Sequence, residues 1–76
     1  MIEVLFFGRL ADITQTGRLL VERMVDTQVL LNYLYHQYPA LKGARFVVAV
    51  DNTVVRVTKP LYAGAQVALM PPFSGG

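Results

Sequence analysis

The chain has 76 residues, 54% of them apolar, which is enough for one small domain with a real core and too apolar for a disordered tail. It contains no cysteine, which excludes a disulfide-stapled secreted scaffold, a zinc ribbon and any sulfur chemistry through a thiol of its own. The net charge of +2 comes from scattered lysines and arginines, so the electrostatic footprint of a nucleic-acid-binding protein is missing, and no apolar run approaches the roughly 18 residues of a membrane span.

The first segment, residues 2–7, is apolar and β-branched or aromatic except for Glu3. It predicts a strand buried on much of both faces, ended by Gly8. Residues 9–17 mix Asp12, Thr14, Thr16 and Gly17 and suit a long turn or loose hairpin connection. Residues 18–23 form a second strand with Leu19 and Val21 on one face. Asp26-Thr27 is a helix start, because a short polar side chain there accepts from the open N–H groups of the first turn. Leu30, Leu34 and Tyr38 follow at helical spacing, joined by Val29 and Leu31, until Pro39 stops the helix. Leu41 is expected to tuck under the helix end.

Residues 46–50 are the strongest strand of the chain, and Asp51-Asn52 is a two-residue hairpin signal because both tolerate positive φ. Residues 54–57 return as a short strand, residues 60–64 turn, and residues 66–70 form a last strand with Val67 and Leu69 on one face. A hairpin, a crossover helix and further strands give an α+β, β-grasp (ubiquitin-like) plan. It is a mixed sheet of about five strands with one main helix on one face. Apolar residues on the other face are left free for a partner. The division expected is a β-grasp domain over 1–70 and an extended, flexible C-terminal tail over 71–76.

That tail is Pro71-Pro72-Phe73-Ser74-Gly75-Gly76. Two prolines cannot continue a sheet ladder and hold a stiff, extended path. Gly75 and Gly76 carry no side chain, so the tip can thread a narrow tunnel. The group presented is an unhindered α-carboxylate, unreactive in water but electrophilic once joined to AMP. A sulfur nucleophile that displaces AMP leaves a thiocarboxylate, whose sulfur can be handed on. None of this requires a catalytic side chain here. The one histidine, His36, falls on the wetter side of the helix. No nucleophile–base pair, phosphate loop or metal-ligand spacing is visible, so the chain by itself is not expected to be an enzyme.

The segment Met70-Pro71-Pro72-Phe73-Ser74-Gly75-Gly76 resembles the C-terminal signature of the MoaD family, the small sulfur-carrier subunits of molybdopterin synthase. Ile2-Glu3-Val4-Leu5-Phe6-Phe7-Gly8 is similar to that family's first strand, and Ala49-Val50-Asp51-Asn52 to its hairpin turn. The resemblance implies that the carboxylate of Gly76 is adenylated at the expense of ATP by a MoeB-like enzyme. A sulfurtransferase then supplies sulfur. The thiocarboxylate enters a MoaE-like large subunit within a heterotetramer and donates sulfur to cyclic pyranopterin monophosphate, forming the molybdopterin dithiolene. No permanently bound cofactor and no metal in the chain itself are expected, and a start that lacks a basic signal region makes a cytoplasmic location the default expectation. By position, Phe7, Val54 and Met70 correspond to apolar partner contacts of the family, followed by Pro71, Pro72, Phe73 and Ser74. Ala63-Gly64-Ala65-Gln66 stands where many members carry an acidic turn, which alters the salt bridges offered to a partner. A ThiS-like carrier for thiazole synthesis, a ubiquitin-like protein modifier and a binding module with an idle tail are the alternatives.

Overall fold

The computed structural model describes residues 1–72. Strand β1 (Ile2–Phe6) opens the chain, followed by helix α1 (Arg9–Thr14), β2 (Arg18–Val21) and helix α2 (Thr27–Gln37). A 3₁₀ turn (Pro39–Gly43), β3 (Val47–Val50), β4 (Thr53–Val55) and β5 (Gln66–Met70) complete it. The strands form one sheet in the order β2-β1-β5-β3-β4. β1 and β5 run parallel at its centre while the outer pairs are antiparallel, so the sheet is mixed.

Strand alternation sorts the side chains. Ile2, Val4 and Phe6 of β1 and Val67 and Leu69 of β5 are buried on the face that α2 covers, with Leu30 and Leu34 of the helix against them. β1 is not buried on both faces: Glu3 and Leu5 stay half-buried on the uncovered side. Asp26 caps α2 through its Oδ1, which accepts from Val29 N at 2.9 Å. Val29 itself is exposed, so the core stripe of α2 runs through Leu30, Leu34 and the half-buried Leu31 without it. Pro39 opens the 3₁₀ turn, and Leu41 is fully buried beneath the helix end. Tyr38 meets Phe6 edge-on, with ring centroids 6.1 Å apart.

Residues 9–14, expected to lie within a long turn, are helical instead. Leu10 and Thr14 stand one turn apart and are buried, with Ala11 and Ile13 packed beside them. The Thr14 hydroxyl lies 3.0 Å from the carbonyl of Leu10 and 2.9 Å from that of Thr16, which ties the helix to its exit. The hairpin between β3 and β4 turns on Asp51 (φ 47°) and Asn52 (φ 70°), the left-handed pair of a type I′ turn. β4 ends at Val55, so Arg56 and Val57 lie beyond the sheet, and β2 stops at Val21. Among the described residues, no helix is long and apolar enough to cross a membrane.

Candidate functional site

The face without α2 carries the side chains of alternate register. Leu5 pairs with Ala68, Ala49 with both Ala68 and Val54, Val47 with Met70, and Glu3 with both Leu20 and Gln66. Phe7 extends the ladder by donating its N–H to the carbonyl of Leu69 at 3.0 Å, which brings it beside Met70. The result is an apolar surface in which Phe7 is 47%, Leu20 48% and Val54 46% exposed. Leu5, Val47, Ala68 and Met70 are half-buried between them. Phe7, Val54 and Met70, singled out from the sequence, therefore share this one face, Phe7 and Met70 side by side and Val54 on the edge strand.

At one end of the face a polar chain crosses the strands. Arg18 donates to Glu3 Oε2, and Gln66 Nε2 donates to Glu3 Oε1 at 2.8 Å. Asp51 Oδ1 accepts from Gln66 N at 3.0 Å, and the Tyr62 hydroxyl donates to Asp51 Oδ2. The bonds from Arg18 and Gln66 hold the Glu3 carboxyl below the ordinary glutamate value. Those from Tyr62 and Gln66 lower Asp51, and the same contact with Asp51 raises the Tyr62 phenol.

The tail leaves from the opposite end. Gly8 has φ 56°, and a Cβ built there would lie 2.8 Å from Cγ of Pro71. A glycine is thus required twice over, for the backbone turn into α1 and for the close approach of Pro71. Pro71 and Pro72 line a cleft of about 260 Å³ together with Arg9, Leu10, Gly43, Ala44 and Arg45. Pro71 is half-buried and Pro72 exposed. Phe73, Ser74, Gly75 and Gly76, assigned from the sequence to the reacting tip, lie outside the described residues. Neither the Gly8–Pro71 contact nor the cleft that Arg9 and Arg45 share with the prolines is legible in the sequence. Contacts between residues so distant in the chain leave no local pattern. His36 is exposed on α2, and no group of His, Asp and Glu suited to a metal occurs among the described residues.

A five-stranded mixed sheet, one long helix across one face and a proline-led tail from the central parallel strand define a β-grasp protein of the ubiquitin-like kind. The chain matches the ThiS family over residues 4–76 and belongs to it. Among solved structures it is similar to small archaeal modifier protein 1 from Methanosarcina acetivorans, with a TM-score of 0.83, 20% identity and coverage of 99% of this chain and 95% of that one. It is also similar to a chain in the complex of subunits 1 and 2 of molybdopterin-converting factor from Helicobacter pylori, with a TM-score of 0.74, 23% identity and coverage of 99% and 97%. At these identities the likeness is one of fold, shared by MoaD/ThiS-type sulfur carriers and ubiquitin-like modifiers. A probable transaldolase of Rhodospirillum centenum is 39% identical over 67 residues, which are 88% of this chain and 26% of that protein. The chain therefore spans about a quarter of the length of that curated relative.

Proposed function

We propose that this protein is a sulfur carrier in molybdenum cofactor biosynthesis, the small subunit of a molybdopterin synthase. The observation that carries the reading is the family match, which spans residues 4–76 and so takes in Gly75-Gly76. The Gly76 carboxylate attacks the α-phosphorus of ATP on a MoeB-like enzyme, and pyrophosphate leaves. Sulfur supplied through a sulfurtransferase at the level of hydrosulfide adds to the acyl carbon, AMP leaves, and the terminus becomes a thiocarboxylate. A MoaE-like large subunit receives the tail and supplies the side chains that move this sulfur to cyclic pyranopterin monophosphate. The open apolar face, rimmed by Phe7, Val54 and Met70, supports such docking because it is a ready-made surface beside the tail. The subunit pair named for the Helicobacter pylori neighbour supports the same arrangement.

A second reading, a protein modifier linked through Gly76 to lysines, is favoured by the fold shared with the archaeal modifier. A ThiS-like role in thiazole synthesis uses the same terminal chemistry with a different acceptor. Intact mass after incubation with ATP, a MoeB-like enzyme and a sulfur donor tests the first step. The expected result is replacement of one oxygen by sulfur, absent when Gly76 is deleted, with the fold unchanged. An unchanged mass beside lysine-linked adducts would instead establish the modifier.

A further inference from the structure

The base of the tail carries two arginines, and their place there constrains the adenylating enzyme that receives the tail. Arg9 opens α1 and Arg45 follows the 3₁₀ turn; with Pro71 and Pro72 they line one cleft. Both arginines are exposed, and among the described residues neither has a carboxylate within 4.0 Å, since Glu3 with Arg18 is the ion pair that forms. The one acid on the two flanking elements is Asp12. The other carboxylates of the sheet, Glu3 and Asp51, are held in the polar chain at the far end. At the tail end, Arg9 and Arg45 are thus left without the carboxylate partner that Arg18 has at the far end.

Gly76 stands four residues beyond Pro72. Fully extended, they reach no more than about 14 Å. A protein that handles Gly76 in a buried site must bring the mouth of its channel within that reach of Pro72, and so down onto the cleft. Two guanidinium groups would then be taken from water, which is unfavourable unless they meet hydrogen-bonding acceptors. Planar, five-donor guanidinium groups fit carboxylates with two parallel hydrogen bonds.

We propose that Arg9 and Arg45 form a clamp at the tail base that engages carboxylates on the rim of the channel by which the adenylating enzyme receives the tail, so that enzyme is the partner with an acidic mouth. This rests on the reading of Gly76 as the reacting terminus. Gly8 serves the clamp by letting Pro71 lie against the β1–α1 turn, in the cleft that both arginines line.

The test is the affinity for the adenylating enzyme of the same organism, measured by calorimetry in 50 and 300 mM NaCl. Wild-type binding should weaken severalfold between these salts, because ion pairs at a rim are screened. An Arg9→Glu, Arg45→Glu double variant should lose about tenfold or more at low salt and show a flat or reversed salt dependence. Arg9→Lys, Arg45→Lys should keep the salt dependence with a smaller loss. Arg23→Glu, Lys59→Glu, placed away from the cleft, should bind within about twofold of wild type. Charge-reversed protein that binds like wild type, or wild-type binding indifferent to salt, overturns the clamp. A wild-type chain that binds through the clamp yet gains no sulfur in the mass measurement contradicts the sulfur-carrier reading alone.

Discussion

Phe6 and Phe7 are neighbours in the chain and belong to different parts of the molecule. Phe6 is 3% exposed, packed with Tyr38 on the side covered by α2, whereas Phe7 is 47% exposed beside Met70 on the side without a helix. The same division runs through the whole sheet. One face is closed by Ile2, Val4, Val67, Leu69 and the leucines of α2. The other is apolar at its middle and at the end where the tail departs, and polar at the end where Glu3, Gln66 and Arg18 cross the strands. Burial on the first face supplies stability, so residues on the second are left exposed, as the proposed docking requires. The alternation of a strand achieves this with a single step along the chain.

The largest effect that could break this contrast is on the covered face. Leu69→Ala should lower unfolding free energy by about 2–5 kcal/mol, the usual range for emptying a leucine site in a closed core. Urea denaturation measures it, and a loss under 1 kcal/mol would show that α2 does not seal the face as described. Gly8→Val comes next. Its Cβ would meet Pro71 at 2.8 Å with φ at 56°, so a cost of about 1–3 kcal/mol is expected. The same variant should redirect the tail and slow the proposed adenylation of Gly76 even at temperatures where it is folded. Asp26→Ala removes the hydrogen bond to Val29 N and should cost about 1 kcal/mol, read from the thermal midpoint. Smallest among these, Phe7→Arg should change stability by no more than about 0.5 kcal/mol while weakening binding to the proposed large subunit. A large fall in melting temperature would place Phe7 in the core after all.

Much of this frame is visible in the sequence for physical reasons. Residues 66–70 alternate cleanly and become β5 with the same limits; Asp26 and Pro39 bracket α2 because a cap and a helix breaker act within a few residues of themselves. The paired glycines and prolines mark the tail by what they cannot do. Helix α1 escapes notice because six residues between Gly8 and Gly17, carrying Asp12 and Thr14, have the composition of a turn. Its signal was the one-turn spacing of Leu10 and Thr14, which becomes persuasive once a buried surface is there to receive it. Val29 shows the converse error: an apolar residue beside a helical stripe was counted into it, although the helix turns it outward. The Arg9–Arg45 cleft and the chain from Arg18 to Tyr62 join residues far apart in sequence, so only the assembled sheet could reveal them.

The two faces should also part company in acid. The covered face holds no ionisable group among its sheet residues, so its contribution should not change with pH. The open face is held at one end by Glu3 and Asp51, both with carboxyl groups below their ordinary values. A carboxyl lowered in the folded state binds its proton less readily there than in the unfolded chain. Its stabilisation is therefore complete above the ordinary carboxylate range, about pH 4, and is lost as pH falls through the lower folded value. The raised phenol of Tyr62 works in the other direction: its bond to Asp51 contributes fully below the ordinary tyrosine value, about 10, and fades as pH rises past it. Thermal midpoints taken from pH 7 down to pH 3 should fall for the wild type, and fall less for a Glu3→Gln, Asp51→Asn variant that starts lower at pH 7. Equal acid sensitivity in the two proteins would mean that the cross-strand chain does not contribute to holding the open face together, and that this face, like the other, rests on its apolar contacts alone.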